Sequence, residues 1–135
     1  MTTCRKPPRV RKLGVYQLGD DWIKVCYQPD GRGGSFYILD KRMVIGLLED
    51  RWRSVLAVLL HETMEFCLQR LNLGYERLDK WGEGTDCRMF LLNHWEFSEA
   101  CALAAPFLTF VQPDLCRVYN KAQKRRERKE RKAKL

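Results

Sequence analysis

The sequence predicts an α+β domain in which a small antiparallel sheet, made of two hairpins, is followed by two or three packed helices. Two observations carry this. Over roughly the first fifty positions the apolar residues come in short β-favouring runs separated by turn chemistry, and from about Arg51 they recur at spacings of three and four. Strands gathered first and helices afterwards argue for helices packed on one side of the sheet. At 135 residues and 45% hydrophobic content, the chain has the size and the apolar share of one domain with one core.

Each element follows from its own residues. Val15 to Leu18 and Trp22 to Tyr27 flank the acidic turn Gly19-Asp20-Asp21 and give the first hairpin. Gln28 to Gly34 is loop chemistry, and Gly31-Arg32-Gly33-Gly34 reads as a flexible hairpin loop, since no Lys-Ser/Thr pair follows to make it a phosphate cradle. Ser35 to Leu39 and Met43 to Leu48, parted by Asp40-Lys41-Arg42, give the second hairpin. The first helix buries Trp52, Val55, Leu56, Leu59, Leu60, Met64, Cys67, Leu68 and Leu71, with Asp50 as its N-cap and Gly74 as its terminator. Tyr75 to Asp86 reads as a polar connection. A second helix is expected from about Cys87 to Ala105, turning Leu91, Phe97, Cys101 and Leu108 to the core, with Pro106 kinking or ending it and Pro113 preceding a last helical stretch.

The net charge of +8 is unevenly spread. Residues 1–13 carry five basic and no acidic side chains, residues 121–135 nine and two, and residues 14–120 eleven and fifteen. The expected organisation is therefore a basic extended arm (1–13), a mildly acidic α+β domain (14–120) and a basic charged tail (121–135). Such ends contact nucleic acid or another polyanion nonspecifically, or serve as solvated extensions. No apolar run approaches the roughly 18 residues of a membrane span, and no apolar stretch follows the basic N-terminus as a secretory signal requires. A cytoplasmic chain without membrane contact is expected. The six cysteines are scattered and form no C-x-x-C pair, so they read as free thiols, and any metal falls to histidine and carboxylate.

The residues that carry chemistry are His61-Glu62-Thr63-Met64-Glu65, in the middle of the first helix. His61 and Glu65 are four apart, so their side chains emerge one turn apart on one face and can converge on one ion. Glu62 projects about a quarter turn away, within reach of a metal-bound water, as a general base must be. The only other histidine is His94. Were the two helices side by side, His61, Glu65 and His94 would present two imidazoles and a carboxylate, a common set for catalytic Zn2+. Glu96 and Glu99 stand near His94 as alternative ligands or as acceptors for an imidazole N–H. The competing reading is a partly exposed polar stripe on an amphipathic helix, with His94 in the core.

Met43-Val44-Ile45-Gly46-Leu47-Leu48, a short polar link and then Ser54-Val55-Leu56-Ala57-Val58-Leu59-Leu60-His61-Glu62-Thr63-Met64-Glu65 resemble the zincin metallopeptidases, in which a sheet-edge strand precedes the active-site helix. The style is closest to the minimal zincin-like proteins of phage and prophage. The resemblance covers roughly residues 35–108 and departs from the peptidase motif at Glu65, where that motif has histidine. It implies a zinc-dependent hydrolase, in particular a peptidase, with His61, Glu65 and His94 as ligands and Glu62 as general base. The strand Met43 to Leu47 would then offer its open edge to an extended peptide or protein substrate. The alternative is a non-enzymatic basic adaptor that binds nucleic acid or a protein partner through its ends.

Overall fold

A computed structural model describes residues 9–76 and 88–135. Both expected hairpins form. Strands β1 (Arg11–Leu18) and β2 (Asp21–Gln28) pair antiparallel from Arg11 opposite Tyr27 to Leu18 opposite Asp21, and Gly19, at φ +60°, makes the turn. Strands β3 (Gly34–Tyr37) and β4 (Arg42–Gly46) pair antiparallel through a turn in which Lys41 has φ +47°. The hairpins are joined by a parallel pairing of β2 with β4, so the four-stranded sheet is mixed, in the order β1-β2-β4-β3.

That order requires the link between β2 and β3 to cross the end of β4. The Gly46 amide donates to the Gly33 carbonyl at 2.7 Å and the Leu48 amide to the Gly31 carbonyl at 2.9 Å. A Cβ on Gly46 would stand 2.5 Å from the Gly31 oxygen, so the crossing needs glycine there. The Gly31 to Gly34 segment is thus a clamped crossover and not the flexible loop its composition suggests. The same order corrects the expected substrate edge. Met43 to Ile45 lie in an interior strand, buried and paired on both sides, and the edges of this sheet are β1 and β3.

Helix α1 (Trp52–Arg70) turns Val55, Leu59, Glu62, Thr63, Phe66 and Cys67 inward, while Leu60 is exposed. Its N-cap is Arg51, without a side-chain cap, in place of the expected Asp50. It ends earlier than Gly74, at Asn72. That residue has φ +58°, and the bonds from Asn72 N–H to Gln69 O and from Leu73 N–H to Leu68 O close a Schellman motif, a turn asparagine tolerates next best to glycine. Strands β5 (Gly74–Glu76) and β6 (Arg88–Phe90) then pair antiparallel, so residues 88–90 are strand and do not open the second helix. The rest of the expected connection, and Cys87, lie outside the described residues.

Helix α2 (His94–Ala133) begins at a capping box in which Asn93 Oδ1 accepts from the Glu96 amide at 2.9 Å and Glu96 Oε1 from the Asn93 amide at 3.1 Å. It runs on through Pro106 and Pro113. Both prolines are on the solvent side, as are Ala102 and Thr109, whose carbonyls lose a donor, so water can satisfy them. Its buried stripe is Ala100, Ala104, Phe107, Val111, Leu115 and Tyr119. Leu91 precedes the helix and is exposed, as are Phe97 and Cys101, and Leu108 is partly buried, because the face turned inward is the one carrying Ala100, Ala104 and Phe107. In β2, Ile23 and Val25 are buried and Trp22 and Lys24 exposed, so one face of the sheet meets the helices in a single core.

The chain's ends enter the fold further than their charge suggests. Residues 11–13 belong to β1, and α2 continues without a break past residue 121. Gln123 Nε2 donates to the Glu49 carbonyl at 2.7 Å and Arg126 Nη2 to the Leu47 carbonyl at 3.0 Å, fixing the start of the tail to the β4–α1 link. Among the described residues no helix is long and apolar enough to cross a membrane.

Candidate metal centre

Helix α1 places His61, Glu62 and Glu65 at one end of an open cleft of about 900 Å³ whose other wall is β3. The ligating atoms of the three residues all lie within 4.8 Å of one another. His61 Nε2 stands 3.3 Å from Glu65 Oε2, an i,i+4 contact on the outer side of the helix. Two ligands bound at about 2.0–2.2 Å to a tetrahedral ion would themselves be about 3.4 Å apart, so this pair already has the spacing of a shared shell. The side chain of His61 is 67% exposed and that of Glu65 23%.

Glu62 differs from both. It follows Leu59 and precedes Phe66 on the inward row of α1, and only 7% of it is exposed. Burial pushes its carboxyl above the ordinary range, the Glu65 carboxylate pushes the same way, and His61 opposes them. The close approach of β3 makes this burial possible. A Cβ on Gly34 would fall 2.6 Å from Val58 Cγ1 and 2.9 Å from Glu62 Cγ, so glycine lets the strand lie directly on the helix at the carboxylate. Beside it the rings of Phe36 and Phe66 meet at 4.5 Å, tying β3 to α1. Gly34 was not among the site residues read from the sequence, which placed it as the last residue of the loop Gly31 to Gly34.

His94 is not in the cluster. It is the first residue of α2, exposed, with its carbonyl accepting from the Ser98 hydroxyl at 3.0 Å. Of the expected triad His61, Glu65 and His94, the structure brings His61 and Glu65 together, with Glu62 beside them on the same helix, and His94 is not among them. The cause is the late start of α2: the segment expected to carry His94 along the first helix is in part strand β6. Glu96 is engaged in the capping box and Glu99 is exposed, and neither joins the cluster.

One imidazole and two carboxylates are a donor set that suits a divalent first-row ion. Among the described residues Cys26, Cys67, Cys101 and Cys116 are free thiols outside the cluster, and burial raises Cys67 to about 11. Comparison of this chain with protein-family models, with curated proteins and with solved structures finds no match.

Proposed function

We propose that the chain is a metal-dependent hydrolase, with zinc as the ion and an extended peptide as the substrate, working at the cleft between α1 and β3. The observation that carries this is the convergence of His61, Glu62 and Glu65 beside the edge strand β3. His61 and Glu65 would hold the ion from the rim of the cleft, where a divalent ion would supply Lewis-acid activation of a carbonyl and of water. Glu62, buried against β3, is placed to accept a proton from an attacking water and to return it to the leaving group. The edge of β3, in place of the interior strand β4, offers its backbone to the substrate.

Metal analysis of the protein purified without added metal tests the reading first, and near one equivalent of zinc is expected. His61→Ala and Glu65→Gln should each abolish retention, whereas His94→Ala should leave it unchanged. Glu62→Gln should keep the ion and lose peptide hydrolysis by about a hundredfold or more. Metal-free protein that takes up no zinc on titration sinks the proposal. Release of the ion by Glu62→Gln would make Glu62 a ligand and leave the site without its base.

A further inference from the structure

Away from the metal cluster, the two basic ends meet. Lys121, Arg125 and Lys129 follow one another at four-residue steps along α2, and together with Arg9, Arg11 and Arg126 they line one groove of about 400 Å³. Arg11 sits opposite Tyr27 across the β1–β2 ladder, and Tyr27, partly buried against the core, and Pro29 line the same groove. Residues more than a hundred positions apart arrive here because β1 lies against α2, where the Tyr16 hydroxyl donates to Asp114 Oδ2 at 2.6 Å.

Among the described residues the charge in this groove is largely unbalanced. Asp30 is its one acidic lining residue, and among the described residues none of Arg9, Arg11, Lys121, Arg125 and Lys129 is in an ion pair. Arg126 is committed to the Leu47 carbonyl. Five uncompensated cations held together repel one another, and the arrangement is relieved by a ligand carrying evenly spaced negative charge. An aromatic ring among the cations adds a stacking surface, the combination found where single strands are held. We propose that this composite groove binds a single strand of nucleic acid through its phosphates, with Tyr27 stacking on a base. The groove and the metal cleft share no lining residue, so either proposal can fail without the other.

Fluorescence anisotropy with the full chain and a labelled oligothymidylate of about 16 nucleotides tests this. Five phosphate contacts predict a log–log salt slope of about −3.5. The triple variant K121A/R125A/K129A and the pair R9A/R11A should each weaken binding by about tenfold or more, with the triple flattening the slope by about 2. The triple K124A/R128A/R131A removes equal charge from the same stretch of α2 but outside the groove, and should change affinity by less than about threefold. Tyr27→Leu should weaken binding at least about fivefold, and thermal melts confirm that each variant is folded. Equal losses from the two triples would show a nonspecific cationic tail and overturn the groove. A duplex bound as tightly as the single strand, or no loss from Tyr27→Leu, would overturn the single-strand assignment.

Discussion

Gly34 and Asp21 show how single positions hold the site and the sheet. At Gly34 the distance from β3 to Glu62 leaves no room for a methyl group. Gly34→Ala is therefore expected to destabilise by about 1–3 kcal/mol, as overpacked sites do, and to weaken zinc uptake if moving β3 or the helix face at Val58 and Glu62 carries His61 and Glu65 out of register. Urea denaturation and zinc titration of one variant read both effects, and an unchanged titration would separate β3 from the site. Asp21, 10% exposed at its side chain, receives Lys41 Nζ at 2.9 Å and Arg70 Nε at 3.0 Å, joining β2 to the β3–β4 turn and to the end of α1. The Lys41 hydrogen bond, more than the Arg70 charge, holds its carboxyl below the ordinary 3.8 against the opposing effect of burial. A depressed folded value means that the stabilisation is complete above the unfolded value and is lost as pH falls through it toward the folded one. Asp21→Asn should thus lower the melting temperature near neutrality and flatten its decline below about pH 4. An Asn variant with the wild-type acid profile would remove Asp21 from the account.

At the scale of elements, what was legible in the sequence was local. The two hairpins and α1 follow from turn residues and apolar period within a few positions of one another, and these signals hold wherever the rest of the chain goes. The face of α2 was lost for a different reason. Asn93 and Glu96 spell a capping box that fixes the helix start, but the apolar Met89, Phe90 and Leu91 before it invited an earlier one. From that start follows the place of His94 at the exposed first residue of α2, outside the site, while the buried stripe is set by the small Ala100 and Ala104 with Phe107 and Val111 at spacings of three and four. Pro106 and Pro113 argued for breaks, yet proline ends a helix only where the freed carbonyl has no other partner, and here it faces water. The grouping of His61, Glu62 and Glu65 was legible because the three lie within about one turn of one helix and depend on no distant pairing, as the third expected ligand, His94, did. The tail boundary drawn from charge likewise gives way to packing. Ending the chain after Arg126 should leave thermal unfolding almost unchanged. Ending it after Asn120 removes Gln123 and Arg126 and should cost about 2–4 kcal/mol, at about 1–2 kcal/mol for each of the two bonds to the Glu49 and Leu47 carbonyls. Equal melting temperatures for the two truncations would show that these bonds contribute nothing to stability.

For the whole molecule, the sheet that positions the cleft rests on the one pairing that sequence patterns do not encode. Alternation tells which residues face the core but not which strand is a neighbour, and the placement of β4 between β2 and β3 is set by contacts between hairpins. The glycine-clamped crossing over the end of β4 carries a kinetic consequence. Each hairpin closes over a short turn and can form in isolation on the microsecond scale, but the parallel seam appears only when one complete hairpin docks on the other with the crossing segment already threaded over the strand end. The seam should therefore assemble after the rate-limiting barrier. Truncating Ile45 to Val in this seam is expected to accelerate unfolding while leaving the refolding rate nearly as it was, whereas Val15→Ala in the first hairpin should slow refolding. Stopped-flow chevrons of the two variants decide it, and a refolding limb slowed by Ile45→Val would place the seam in the nucleus. If the seam closes last, it also opens first, and the wall of the cleft formed by β3 would be the earliest part of the protein to come away under load.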